Sequence, residues 1–123
     1  MRKFVPHLLP AALAACLLLT GCAARQEPLY YWGSYQGQVY EYLKKEKSPE
    51  DQIQALEADK EKAAAKGKPL PPGFMAHLGI LYGQTGRLDR LEESLNAEKL
   101  AFPEGASYVD FLLKKKTAPK ATP

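Results

Sequence analysis

The side chains able to do covalent or coordination chemistry are few: two cysteines, Cys16 and Cys22, and two histidines, His7 and His77. Cys22 is the most informative of them. It follows two small residues, Thr20 and Gly21, and an apolar run that ends at Leu19. A thiolate is the nucleophile that takes up an alkyl group, and small neighbours let an extended strand enter a peptidase beside it.

Leu19-Thr20-Gly21-Cys22 resembles the bacterial lipobox, in which a diacylglyceryl group joins the cysteine sulfur and signal peptidase II then cuts. The preceding residues have the parts of an export leader: Arg2 and Lys3, an apolar run over 11–19, and the small-residue exit. The run is well short of the ~20 residues that cross a bilayer. A generic secretory cleavage site has the same flanks and is the alternative. On the lipobox reading, residues 1–21 are a cleaved signal peptide and the membrane is reached through an N-terminal lipid.

Removing 21 of the 123 residues leaves 102, enough for one small domain. Arg2 and Lys3 leave with the leader, so 15 basic residues face 14 acids. That balance lacks the basic footprint of a nucleic-acid binder, and no nucleic-acid partner is expected. With Cys22 carrying lipid, the rest has neither a free thiol nor a disulfide, and His77 is its one histidine. No metal site, cofactor or catalytic constellation is expected from that set, and the protein is read as a non-enzyme. An enzyme would need acids such as Glu41 and Glu46 to converge on a pocket.

The elements that must position any functional surface are helical. Residues 22–29 are polar and aperiodic, a lipidated tether. Five of the seven tyrosines and the one tryptophan then fall within residues 30–42. Tyr35, Val39, Tyr42 and Leu43 recur at helical spacing and predict a helix over 34–47. Tyr30, Tyr31 and Tyr40 fall off that stripe and are candidate partner-binding residues. Ser48-Pro49-Glu50-Asp51 is a helix start with a cap, a proline suited to the first turn, and acids that complement the dipole. Ile53, Leu56, Ala63 and Ala64 mark the apolar face of that second helix. Glu57, Asp59, Lys60, Glu61 and Lys62 read as its solvated face.

Residues 72–103 resemble the tetratricopeptide repeat. Leu78-Gly79, Tyr82, Gly86 and Pro103 match its Leu-Gly, Tyr, inter-helix Gly and terminal Pro, with Met75 at the large first position. The small residues expected on the second helix are replaced by Leu91 and Glu98. Leu88, Leu91, Leu95 and Phe102 give that helix a buried face. Tyr35 and Tyr42 echo the spacing of Met75 and Tyr82, which sets a period of 40. Val109, Phe111, Leu112 and Leu113 begin a fifth helix. The fold expected is all-α: two tetratricopeptide-like hairpins over 30–113 with a C-terminal capping helix, then a basic disordered tail over 114–123. Trp32, Tyr35, Tyr42, Leu78, Tyr82, Leu91 and Leu95 are the predicted core.

Taken together, the lipobox, Tyr30-Tyr31-Trp32-Gly33 with Tyr35 and Tyr42, Pro71-Pro72-Gly73, Leu78-Gly79 with Tyr82, and Phe102-Pro103 followed by Phe111-Leu112-Leu113-Lys114 resemble the domain-of-unknown-function family 4810. The resemblance implies an outer-membrane lipoprotein, often encoded beside a lipoprotein similar to the curli-secretion channel, and it implies no reaction. Ala23, in place of the aspartate that retains lipoproteins in the inner membrane, points the same way.

The expectation is a periplasm-facing adaptor for an envelope secretion or surface-structure complex, with envelope lipoproteins or secretion-channel subunits as partners. A peptidoglycan-binding or wall-enzyme-regulating lipoprotein is the alternative. Repeat arrays need about three units to stand alone, so a partner or self-association is expected to complete the stack. The tetratricopeptide register places Gly73, Ala76, Ile80, Gly83 and Gln84 along the inner groove. None is charged, which predicts an apolar occupant. Ala76, Ile80 and Gln84 join the three tyrosines as candidate partner contacts.

Overall fold

A computed structural model describes residues 26–117. The leader, Cys22 and the last six residues lie outside the described residues, and with them the lipobox and the end of the tail.

Five helices follow one another, with no strand among the described residues: α1 Tyr35–Lys44, α2 Pro49–Ala65, α3 Phe74–Gln84, α4 Leu88–Ala101 and α5 Ala106–Thr117. A single 3-10 turn, Pro103–Gly105, joins the last two. The arrangement is the expected one of two helical hairpins and a capping helix. None of the helices is long and apolar enough to cross a membrane.

The local signals act where they were read. Ser48 caps α2, its hydroxyl accepting the Asp51 N–H at 3.1 Å. Gly86, at φ +77°, turns the chain after α3, and the Arg87 N–H closes back on the Tyr82 carbonyl at 2.9 Å. Helix α1 is shorter than the predicted 34–47 because Lys45 enters the left-handed region at φ 59°. The Glu46 N–H then reaches the Glu41 carbonyl and ends the helix. At the other end of the chain, α5 continues through Thr117, so the lysines 114–116 are helical and not the start of a tail.

Two acids hold the hairpins closed, and both correct the sequence reading. Asp59, assigned to a solvated face, is buried. Its Oδ2 accepts the backbone N–H and the hydroxyl of Ser34, each at 2.6 Å, at the start of α1. Glu98, at a position where a small residue was expected, is also buried and accepts the N–H groups of Gly73 (2.6 Å), Met75 (3.1 Å) and Ala76 (3.3 Å). These are the orphan donors at the start of α3, where the helix dipole also favours a carboxylate. Each acid therefore clamps the far end of one helix to the beginning of its antiparallel partner. The repeat period that follows is 39 (Ser34 to Gly73, Asp59 to Glu98), not 40, so Tyr35 corresponds to Phe74 and Leu56 to Leu95.

The core sits mainly between α2 and α3, where Ile53, Leu56, Phe74, Leu78, Leu81 and Tyr82 are buried. A second cluster, Ala76, Leu95 and Val109, lies under α5. Leu78, Tyr82 and Leu95 are core residues as predicted. Tyr35, Tyr42 and Leu91 are only partly buried, and Trp32 is 39 % exposed. The aromatic density around Trp32 reflects a surface strap, and the fully buried aromatic position belongs to Phe74. Ala63 packs inward, but Ala64 is exposed. His77 is buried edge-on against the Tyr42 ring at 5.1 Å and near Tyr35 at 6.0 Å. Burial holds its pKa below the ordinary histidine value, and its Nε2 has no hydrogen-bond partner among the described residues.

Close approach of α3 and α4 depends on Gly79. A Cβ there would stand 3.2 Å from both the Leu91 carbonyl oxygen and the Ser94 Cβ.

Candidate partner-binding groove

A cleft of about 320 Å³ opens where the C-terminal half of α3, the start of α4 and the end of α5 meet. Helix α3 contributes Ile80, Gly83 and Gln84, α4 contributes Leu88, Leu91 and Leu95, and α5 contributes Leu112 and Lys115. Gly83 has no side chain to fill the space, and a Cβ there would collide with the Leu91 side chain. Leu88, predicted to be buried, is 49 % exposed because it is the first residue of α4 and stands at the mouth of the cleft.

Two neighbouring arginines are engaged away from the cleft. Arg87 and Arg90 lie over the Tyr82 ring at 5.5 and 5.4 Å, and Arg90 also pairs with Glu93. The Tyr82 hydroxyl donates to Glu57 at 2.6 Å, and Lys60 stands 3.1 Å from the same carboxylate. Burial is the largest single influence on Glu57 and pushes its pKa up. The bonds from Tyr82 and Lys60, with the charges of Lys60 and Arg90, outweigh it and hold the carboxyl below its ordinary value. Burial, then the bond to Glu57, raises the Tyr82 phenol. Lys115 is the one charged residue lining the cleft, its ammonium 5.2 Å from the Phe111 ring centroid. Such a surface releases water when an apolar side chain covers it, by about 25 cal/mol per Å² of apolar area buried.

The predicted contacts divide. Ile80 and Gln84 line the cleft, whereas Ala76 does not, since it is buried with Leu95 and Val109 under α5. Gly73, with its N–H on Glu98, belongs to the clamp at the opposite end of α3. Tyr40 is 59 % exposed on α1, with Lys44 over its ring. Tyr30 and Tyr31 are half-buried: Tyr30 meets Phe102 edge-on at 6.2 Å, and the Tyr31 N–H donates to the Pro69 carbonyl at 2.8 Å. Sequence reasoning missed Leu88, Leu112 and Lys115. The signal for Leu88 was its place directly after the Gly86 turn, where a helix has no preceding turn to cover it.

A second cavity of about 500 Å³ lies across the loop between α1 and α2, with a mixed wall that includes Tyr42, Leu43, Lys45, Glu46, Gln52 and Gln84. Gln84 Nε2 donates to the Tyr42 hydroxyl at 3.3 Å. Gln52 donates to the Lys47 carbonyl, while its own Oε1 is buried without a partner among the described residues. No three His, Cys, Asp or Glu side chains come together as a metal site among the described residues.

Neither a curated protein nor a solved structure matches the chain. The family model described as domain of unknown function (DUF4810) matches residues 29–112, which takes in both hairpins, both acid clamps and all of the cleft but Lys115. The chain belongs to that family.

Proposed function

We propose that the protein is a lipid-anchored, periplasm-facing adaptor that holds an apolar helix or extended segment of an envelope protein in the cleft between α3, α4 and α5. Assembly of a secretion or surface-structure complex is the process it serves. The observation that carries the reading is the apolar cleft itself, with Ile80 and Leu88 at an opening whose neighbouring arginines are occupied elsewhere. The lipobox supplies the anchor. The test is capture from membranes in gentle detergent, comparing the native chain with Ile80→Glu. An envelope protein recovered by the native chain and lost with the variant, at unchanged helicity, is the expected result. Equal recovery by both removes the cleft from the account.

The cavity across the loop between α1 and α2 supports a second reading, a wall-binding lipoprotein. Lysines, Glu46 and the amide of Gln84 in its wall suit a ligand rich in hydrogen-bonding groups, as glycan strands and their peptides are. Sedimentation with purified sacculi separates the two, because the adaptor alone stays in the supernatant.

A further inference from the structure

The strap that leads into α1 is fastened to the domain along its length. Lys68 Nζ holds the Glu27 carboxylate at 2.9 Å and reaches the Pro28 carbonyl at 3.4 Å. Tyr30 and Tyr31 are held as described above, and the Lys66 ammonium lies 5.2 Å from the Tyr31 ring centroid. The chain is thus fixed against the loop after α2 and the end of α4 from Glu27 onward.

That leaves little slack before Cys22. Three residues lie between Cys22 and Gln26, and four steps of at most about 3.6 Å allow a lipid carried on Cys22 no more than roughly 14 Å of tether before Gln26. If Cys22 carries the lipid, this end of the domain is held at the level of the phospholipid headgroups. The side chains it presents there suit that layer. Leu29 is 73 % exposed, Trp32 stacks on Tyr35 at 6.3 Å yet leaves 39 % of its surface free, and the exposed Lys66 lies over the ring of Tyr31, which falls between them in the chain, while Lys68 is paired with Glu27. Tryptophan beside lysine is the combination that settles at a membrane interface, the ring in the headgroup region and the ammonium toward water and phosphate.

We infer that Leu29 and Trp32, with Lys66 held at the intervening Tyr31, rest in the headgroup layer of the leaflet that holds Cys22, so that the domain is docked on the membrane in one orientation. The inference rests on the lipid anchor of the reading above.

Trp32 is the one tryptophan of the chain, and its fluorescence reports this position alone. The experiment uses the lipidated full-length product in vesicles of phosphatidylethanolamine and phosphatidylglycerol, with mass spectrometry of the acyl group on Cys22. Lipids brominated near the headgroup end of the acyl chain are expected to quench Trp32 by about twofold or more, with protection from aqueous iodide, as for a side chain seated in the interface. Leu29→Asp should weaken the quenching and restore access to iodide, while Cys22 stays acylated and helicity is unchanged. Acylated protein whose Trp32 ignores brominated lipid and meets iodide freely overturns the docked orientation and leaves the anchor standing. Absence of the acyl group overturns the anchor and the inference with it. A blue shift without quenching by brominated lipid means that another protein copy covers the strap, and overturns the inference as well.

Discussion

Glu98 accepts the Gly73 N–H at 2.6 Å across a separation of 25 residues, and Asp59 accepts the Ser34 N–H at the same distance and the same separation. A buried carboxylate without partners is costly, and helix-terminal N–H groups without acceptors are costly too. Each clamp removes both costs together. It also places the beginning of α1 and of α3 against the end of the following helix, which fixes the register of the hairpin and, in the second one, the walls of the cleft.

Glu98→Ala is therefore expected to destabilise the fold by about 3 kcal/mol, since it exposes several amides to an apolar surrounding at once. Glu98→Gln keeps one acceptor and should cost about half as much. Urea unfolding measures both. A Glu98→Ala midpoint within error of the native one contradicts the role given to the clamp.

His77 gives stability a pH dependence of defined sign. Burial lowers its pKa in the folded chain, so the unfolded chain binds the proton more readily. The contribution is complete above the ordinary histidine value of about 6.5 and is lost as pH falls below it toward the folded value, by up to about 1.4 kcal/mol per pH unit. The lowered carboxyl of Glu57 is lost in the same direction, but only as pH falls below the ordinary carboxylate range. His77→Phe, which keeps a ring edge on Tyr42, should flatten the melting temperature between pH 7 and about 5.5. An unchanged slope in that window assigns the titration to another group.

The helices, their order and most of their ends were legible because each depends on a local signal. Ser48-Pro49 opens a helix through its own hydroxyl and ring, Gly86 and Pro103 close helices through their own backbone, and Leu78 and Leu95 follow from periodicity. Asp59 and Glu98 were not legible in this way. Asp59, with Lys62 three residues on, has the pattern of a solvated face, Glu98 stands where the repeat pattern expects a small residue, and only the fold brings the start of another helix onto each. The same limit explains the cleft. The tetratricopeptide register put Ala76, Ile80 and Gln84 along one groove, but it does not say that the first is buried under α5 while the other two line the cleft at its end.

Two glycines should respond in opposite senses to the same change. Gly37 lies within α1 with nothing within 4 Å of an added Cβ, so Gly37→Ala should stabilise by about 0.5–1 kcal/mol through backbone entropy. Gly79→Ala gains the same entropy but presses a methyl group on the Leu91 carbonyl, and should be destabilising by about 1 kcal/mol, with Gly79→Val worse by a further 1–3 kcal/mol. A stabilising Gly79→Ala means that α3 and α4 separate more readily than their packing implies.

Partner binding to the cleft should depend weakly on salt. Lys115 is the one charge in its lining, and a single exposed charge changes affinity by less than about threefold between low and high ionic strength. Titration of the captured partner over a salt series checks this. A steep fall with salt locates binding on a charged face instead.

The Gly73 and Ser34 clamps also bear on the order in which the chain acquires its structure. Each closes a loop of the same modest length, and closure entropy rises only slowly with loop length. The residues of the first clamp, Ser34 to Asp59, all precede Gly73, so the end-to-end connection of the first hairpin needs no residue of the second. Contacts in the domain are then made mainly between neighbours along the chain, the condition for rapid, stepwise folding. In hydrogen exchange the Met75 and Ala76 amides should report the second hairpin and the Ser34 amide the first, as two separable openings rather than one.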